Sequence, residues 1–154
     1  MSYWLVKSEP DEFSIDDLKL KNIARWDGIR NYQARNFIRK MQPRDLVFFY
    51  HSSCKNIGIS GIMSVVSTYY EDPIAVDSSS PYFDKKALDA NPWSAIDVQF
   101  KQQFPKVLSL AAIKKLAIND QRLADFVLIK KGNRLSVMPV SSDQWQCIME
   151  NIAP

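Results

Sequence analysis

Hydrophobic residues are concentrated in five runs that predict β-strands, at residues 3–7, 46–50, 57–70, 93–104 and 134–138. Alternation of apolar and polar positions is typical of a half-buried strand, whereas the unbroken apolar run at 46–50 predicts a fully buried one. Gly58 and Gly61 lie within the third run and indicate a bend or a bulge there.

Between these runs, apolar residues recur every three to four positions and predict helices. Ser14 offers an N-cap for a helix ending near Lys21, and Asn31 offers one for a helix ending near Met41. Ser109, Asp120 and Ser142 are expected to begin three further helices, over 110–116, 121–129 and 142–152.

Residues 71–92 contain Pro73, a Ser-Ser-Ser-Pro run and an Asn-Pro pair, which together predict a long excursion from the regular structure. A loop of that length in a compact domain is usually functional or mobile. We find no repeat, linker or low-complexity tract, so one domain is expected over residues 1–154. Strands with intervening helices predict an α+β fold around a mixed, partly closed sheet.

The composition is that of a folded protein, with 46% hydrophobic and 24% charged residues, which argues against intrinsic disorder. No apolar run reaches the roughly eighteen residues of a membrane span, and no membrane contact is expected. The first residues lack the pattern of a secretory signal. We therefore expect a cytoplasmic protein, or a nuclear one if the source is eukaryotic, acting as a monomer or weak dimer.

The residues that usually bind metals are scarce. Cys54 and Cys147 lie far apart in the chain, and His51 is the only histidine. A zinc site needs more ligands than this, and an intracellular disulfide is not expected. We therefore expect neither a metal nor another cofactor.

Positive charge is unevenly distributed. The net charge is only +3, yet residues 19–44 hold eight bases against a single acid, Asp27. Five of the eight are arginine, whose guanidinium suits bidentate phosphate contact. Candidate phosphate contacts are Arg30, Arg35, Arg39 and Lys40. A solvated helix face explains the same pattern equally well.

Two of the four tryptophans stand apart from the apolar patterns. Trp4 and Trp145 lie inside periodic apolar segments and are expected in the core. Trp26 is flanked by charged residues, and Trp93 follows Asn91-Pro92 at the rim of a strand. Tryptophans in such positions, beside basic segments, fit base stacking combined with phosphate contact. A half-buried tryptophan without a binding role remains an open alternative.

Known catalytic motifs are missing from the sequence. There is no GxSxG elbow, no Walker loop and no GxGxxG, and four glycines leave little room for them. Lys7, Ser8 and Glu9 are the most interesting cluster, because a lysine and a carboxylate at a strand end can share one pocket. The alternative is a strand terminus with solvated charges.

Four ordered segments, residues 3–10, 26–36, 48–52 and 132–140, resemble the signatures of the EVE domain family, in particular its small stand-alone members of the thymocyte nuclear protein type. The resemblance implies a PUA-like fold, a mixed β pseudo-barrel of about five to six strands flanked by helices. It also implies kinship with YTH domains, which hold a methylated adenine in an aromatic cage.

The resemblance assigns candidate site residues. Lys7 and Ser8 are similar to the lysine-serine pair that opens the YTH motif, and Trp26 and Trp93 are similar to cage tryptophans. Asn133 and Arg134 correspond loosely to a loop of that family.

We therefore hypothesise a non-enzymatic nucleic-acid binding module for DNA or RNA that flips one modified base into an aromatic pocket. Trp26 and Trp93 would face each other as its walls, and Ser8 and Asp27 would read polar edges. One rival is a small base-processing amidohydrolase with Lys7 as nucleophile or base and Glu9 moving protons. Another rival is a protein-interaction module.

Overall fold

A seven-stranded mixed sheet forms the centre of the molecule, in the order β2-β6-β4-β3-β1-β7, with the short β5 paired to β6. The computed structural model describes residues 1–153. The strands are β1 Tyr3–Ser8, β2 Ile23–Trp26, β3 Leu46–His51, β4 Gly58–Val65, β5 Tyr70–Glu71, β6 Ser94–Ser109 and β7 Val137–Val140. β1 and β3 run parallel, and the other pairings are antiparallel. The α+β class is confirmed, with more strands than expected.

Four α-helices flank the sheet in the described part of the chain: α1 Ile15–Lys21, α2 Tyr32–Lys40, α3 Leu110–Asn119 and α4 Ser142–Glu150. The predicted caps are confirmed at Ser14, Asn31 and Ser109, whose side chains accept backbone N–H groups of the first turn. The last helix begins at Ser142 as predicted, and Ser141 caps it by forming a capping box with Gln144.

The helix predicted over 121–129 is wrong. Residues Gln121–Leu123 and Val127–Ile129 form two separate 3-10 helices instead. Asp120 explains the first of them, because its carboxylate accepts the N–H of Arg122 and its carbonyl accepts the N–H of Leu123, which closes a tight turn.

The core lies on both faces of the sheet. Along β3, Val47 and Phe49 point into the cluster covered by α1 and α2, whereas Phe48 and Tyr50 point into the cluster covered by α3 and α4. This arrangement accounts for the unbroken apolar run, since neither face of the strand meets solvent.

Two glycines let β4 and β6 approach each other closely. A Cβ atom on Gly58 would lie 2.2 Å from the Leu108 carbonyl oxygen, and one on Gly61 would lie 2.3 Å from that of Gln102. The register between these strands shifts between Ile59 and Gly61, so the predicted bulge is confirmed.

The excursion is an ordered segment with short regular elements, the 3-10 helices Pro73–Val76 and Lys85–Leu88. Asp72 anchors it, since its fully buried carboxylate accepts hydrogen bonds from the Gly28 N–H at 2.9 Å and the Arg30 guanidinium at 2.8 Å. These contacts join the excursion to the turn after β2. No helix in residues 1–153 combines the length and the apolar character needed to cross a membrane.

Candidate functional site

A cavity of about 340 Å³ opens between the end of β1, the loop before α1, strand β2 and the excursion. Its volume falls at the small end of the range for ligand pockets. Most of its lining is polar or charged, and the aromatic residues come from three different segments. The lining residues are Lys7, Ser8, Glu9, Glu12, Phe13, Lys21, Ala24, Arg25, Trp26, Asp27 and Tyr82.

Trp26 lines this cavity and belongs to the core at the same time. It is only 7% exposed, and its ring meets those of Phe49 and Phe13 edge-on, at centroid distances of 5.4 and 6.1 Å. The expectation that Trp26 lies outside the apolar periodicity is wrong. It ends β2, where Ala24 and Trp26 are buried and the intervening Arg25 is exposed.

Trp93 lies outside the lining of the cavity. It is 6% exposed, stacks on Tyr32 at 4.8 Å, and donates its indole N–H to Asp84 at 2.8 Å. The expectation that Trp26 and Trp93 face each other across one pocket is therefore wrong. Asn91 and Asp84 explain the placement of Trp93, because Asn91 accepts its backbone N–H and Asp84 holds its indole against the excursion.

The structure brings Lys7, Ser8 and Glu9 together in the cavity. Burial lowers the pKa of the half-buried Lys7 ammonium, whose Nζ lies 5.9 Å from the centre of the Tyr50 ring. The Ser8 hydroxyl is already engaged, since it donates to the Phe13 carbonyl at 2.5 Å. Within residues 1–153, Lys7 forms no ion pair.

Tyr82 and Glu12 are cavity residues that sequence reasoning missed. The Tyr82 hydroxyl donates to the Glu12 carboxylate across the cavity lining, and this hydrogen bond raises the pKa of Tyr82 to about 12. The Tyr82 ring also seats closely on Gly28, where a Cβ atom would lie 3.3 Å from the ring. Gly28 has φ +77°, a conformation that favours glycine, and the missing side chain leaves room for the ring to approach.

Asp27 lies in the same lining, and its carboxylate accepts a hydrogen bond from the exposed Arg25 at 2.9 Å. Asn133 and Arg134 do not line the cavity. Asn133 accepts the backbone N–H of Leu135 at 3.1 Å, while its Nδ2 is buried with no hydrogen-bond partner among the described residues. This geometry does not support their assignment to the base pocket, because the residues that line the cavity all lie in other segments of the chain.

The predicted phosphate contacts differ in their surroundings. Arg30 is a structural residue, since its guanidinium binds the buried Asp72 and donates twice to the Tyr82 carbonyl, at 3.0 and 2.9 Å. Arg35 and Arg39 both donate to the Pro92 carbonyl, at 3.1 and 3.0 Å. Lys40 is exposed, with its Nζ 5.8 Å from the centre of a neighbouring phenylalanine ring.

His51 holds the start of α1. Its Nε2 accepts the backbone N–H of Ile15 at 3.1 Å, and burial lowers its pKa. In the part of the chain that the structure describes, no three His, Cys, Asp or Glu side chains are grouped so as to hold a metal ion.

A mixed sheet covered on both faces by helices, with a partly polar cavity at one end of β1, defines an α+β domain of the PUA-like class. The EVE domain model matches residues 2–151, and the chain belongs to the EVE domain family.

Relatives in sequence and in structure agree with this membership. Thymocyte nuclear protein 1 of Homo sapiens is 37% identical over 164 residues, covering 96% of this chain and 72% of that protein. A crystal structure of a Pseudomonas syringae protein is 53% identical, with a TM-score of 0.92 over 97% of this chain and 98% of that one. Human THYN1 in complex with 5-methylcytosine-containing DNA is 35% identical, with a TM-score of 0.92 over the whole of both chains.

Proposed function

We propose that this protein binds nucleic acid and receives a modified base in the cavity between β1, β2 and the excursion. The observation that carries the proposal is the cavity itself, in which Trp26, Phe13 and Tyr82 bring aromatic surface beside the polar Ser8 and Asp27. The human relative in complex with 5-methylcytosine-containing DNA supports the same class of ligand.

Aromatic walls offset the cost of removing a base from its stack. Flipping costs a few kcal/mol, and stacking on an aromatic side chain contributes roughly 1–3 kcal/mol per base. Tyr82 takes the place that Trp93 was expected to fill, because it lines the cavity together with Trp26. Tyr82 is therefore the second aromatic wall of the proposed base pocket.

The polar lining favours a base that presents an amino group. Glu9, Glu12 and Asp27 supply carboxylate oxygens, which accept hydrogen bonds from an exocyclic amine such as N4 of cytosine. Lys7 supplies an ammonium for the neighbouring ring acceptors. A cytosine carrying an added methyl group fits this mixture of aromatic surface, acceptors and one donor.

The test is a binding screen with single-stranded and duplex oligonucleotides that carry 5-methylcytosine, other modified bases or no modification. We expect the wild-type protein to prefer a modified strand and Asp27→Asn to lose that preference. The matched control is Asp89→Asn, which removes the same charge from an exposed position of the excursion. Equal affinity of the wild-type protein for all strands would refute base recognition.

One observation favours a second candidate function, a small base-processing amidohydrolase. Burial lowers the pKa of Lys7, and Glu9 lies in the same cavity, so an amine nucleophile and a proton carrier are close together. Mass spectrometry of modified nucleosides after incubation with the protein tests it. A product that disappears with Lys7→Ala would establish the enzyme, whereas binding without turnover supports the proposed reader.

A further inference from the structure

Two guanidinium groups on α2 meet at a single carbonyl oxygen. Arg35 donates to the Pro92 carbonyl at 3.1 Å, and Arg39 donates to the same oxygen at 3.0 Å. Their other hydrogen bonds go to the side-chain oxygens of Asn36 and Ser94. Every acceptor on this arginine pair is therefore an uncharged group, and neither arginine forms an ion pair in the described part of the chain.

An exposed tyrosine ring lies against each member of the arginine pair. The Arg35 guanidinium lies 4.8 Å from the centre of the Tyr32 ring, and the Arg39 guanidinium lies 5.4 Å from that of Tyr69. Tyr32 in turn stacks on Trp93. These contacts join the two tyrosines and the two arginines into one continuous surface, and together with the hydrogen bonds they hold the guanidinium groups in place.

The arginine pair brings two positive charges together, and no negative charge is paired with either of them. Like charges at close range repel each other, so an anion placed between them lowers the energy of the site. A guanidinium has five N–H donors, and the hydrogen bonds above use three on Arg35 and two on Arg39. Both side chains are partly exposed, so donors remain for a ligand. A phosphate group fits this arrangement, because its oxygens accept bidentate hydrogen bonds from guanidinium groups.

One acidic side chain emerges beside the arginine pair. Glu71 is paired with Ser94 across β5 and β6, and directly opposed residues of an antiparallel pair project from the same face. Because the Ser94 hydroxyl accepts from Arg39, that face is the one on which the arginine pair lies. Glu71 is exposed and forms no ion pair with Arg39 within residues 1–153. Its charge opposes the binding of an anion without occupying the guanidinium groups.

Trp93 and Arg30 connect the arginine pair to the wall of the cavity. Trp93 follows Pro92, whose carbonyl the pair holds, and the Arg30 guanidinium lies 5.5 Å from the centre of the Trp93 ring. Arg30 donates in turn to the carbonyl of Tyr82, which lines the cavity. A nucleic acid with one base in the cavity therefore keeps its nearby phosphates at a high effective concentration beside the arginine pair.

We propose that Arg35 and Arg39 together clamp one backbone phosphate of the nucleic acid whose modified base enters the cavity. The proposal rests on the proposed function and adds to it a fixed position for the backbone. It favours phosphate contact over a solvated helix face for these two arginines, because a solvated face has no preferred phosphate. The clamp determines which linkage of the strand lies against α2, and this linkage can be identified by experiment.

The test uses the full chain and a series of single strands of about a dozen nucleotides with one central 5-methylcytosine. Each strand of the series carries one uncharged methylphosphonate linkage, at a different position. With the wild-type protein, one position should cost about tenfold in affinity, because charge-assisted hydrogen bonds are lost there. Arg35→Gln combined with Arg39→Gln should lose the sensitivity at that position, and its salt slope should fall by about 0.7 units, one phosphate contact.

The single variants distinguish a shared clamp from two independent contacts. Arg35→Gln and Arg39→Gln should each lose the sensitivity at the same linkage, because both guanidinium groups bind one phosphate. Loss at two different linkages would overturn the shared clamp. Each single variant keeps one arginine on the Pro92 carbonyl, so this comparison stands even if the double variant does not fold.

Matched controls change charge elsewhere or change the opposing acid. Lys114→Gln with Lys115→Gln removes two exposed charges from α3, on the other face of the sheet, and should keep the wild-type profile and salt slope. Glu71→Gln should strengthen binding of the strand about twofold. Inorganic phosphate is the probe for a free anion. Its tight binding by the wild-type protein, with no linkage-specific loss in the strands, would overturn the proposal.

The outcomes separate the clamp from the proposed function. The double arginine variant should keep the wild-type preference for a modified over an unmodified strand, because the clamp does not contact the base. A wild-type preference for the modified strand, with no linkage at which the arginine variants differ, would overturn the clamp and leave the base pocket in place. A linkage-specific loss without any base preference would refute the pocket and support the phosphate contact. A wild-type protein that binds no strand overturns both.

Discussion

The carboxylate of Asp72 lies 2.8 Å from the guanidinium of Arg30, and this ion pair joins the excursion to the turn that follows β2. The acid is fully buried and the side chain of the base is 22% exposed. Arg30 also donates to the Tyr82 carbonyl, so the same pair positions the aromatic wall of the cavity. The charge of Arg30, which the sequence offers as a candidate phosphate contact, is therefore paired with a buried carboxylate of the same chain.

Asp72→Ala should lower the free energy of unfolding by about 3–5 kcal/mol, because Arg30 loses its buried partner and the N–H groups of Gly28 and Ile74 lose their acceptor. Denaturant unfolding measures the change. Asp89→Ala, at an exposed position of the same segment, is the control and should change stability little. Equal stability of the two variants would contradict a structural role for the pair.

Removal of the Tyr82 ring should weaken binding of a modified base about tenfold, whereas removal of its hydroxyl alone should not. Tyr82→Ala loses the wall of the cavity, and Tyr82→Phe keeps the ring while it releases Glu12. Titration of a labelled oligonucleotide measures both. Similar losses of affinity in the two variants would mean that binding depends on the hydrogen bond from Tyr82 to Glu12 and not on the aromatic ring.

Trp26 should behave as a core residue and as a binding residue. Trp26→Ala should cost about 3–5 kcal/mol of stability, as should Trp145→Ala, because both side chains are more than nine-tenths buried. Trp26→Phe keeps much of the packing and tests the binding role separately, with affinity expressed per folded molecule. If Trp26→Phe keeps the full preference for a modified base, the indole of Trp26 is not needed for base recognition.

Stability should fall in mild acid because of His51. Its folded pKa is depressed by burial, with Asp16 opposing the shift, so the folded state favours the neutral imidazole. Protonation also removes the Nε2 lone pair that accepts the Ile15 N–H. The contribution of His51 is therefore complete above the ordinary histidine pKa and decreases as the pH falls below it.

His51→Gln is the matched variant for this effect. Denaturant unfolding at about pH 7.5 and about pH 5.5 should show a larger decrease for the wild-type protein than for His51→Gln, which does not titrate in this range. Parallel decreases in the two proteins would assign the pH dependence to other groups.

The sequence predicted those elements of the fold that depend on residues close together in the chain. The buried β3 follows from its unbroken apolar run, and the bulge in β4 follows from its glycines. The caps at Ser14 and Asn31 follow from side-chain acceptors that lie next to the helices they cap. β2 was missed because it has only four residues, two of them exposed, and its identity depends on pairing with β6.

The cavity was predicted only in part, for a reason of distance along the chain. Lys7, Ser8, Trp26 and Asp27 stood out by residue type, and all four line the cavity, whereas their role in binding a base stays a prediction. Tyr82 lies 70 positions from its partner Glu12, and only the folded excursion brings them into contact. The sequence showed that Trp93 lies outside an apolar period. It did not show the direction of the Trp93 side chain, which is set by the hydrogen bond from its indole N–H to Asp84.

The two ends of the excursion are held side by side. Tyr70 and Glu71 pair with Ala95 and Ser94, and the Asp72 N–H donates to the Trp93 carbonyl at 3.0 Å. The sheet thus closes the segment at its base, and doubling the length of such a closed loop costs only about 0.6 kcal/mol in chain entropy. The excursion is an insertion point at which one wall of the cavity can be lengthened, shortened or exchanged while the strands beneath keep their register.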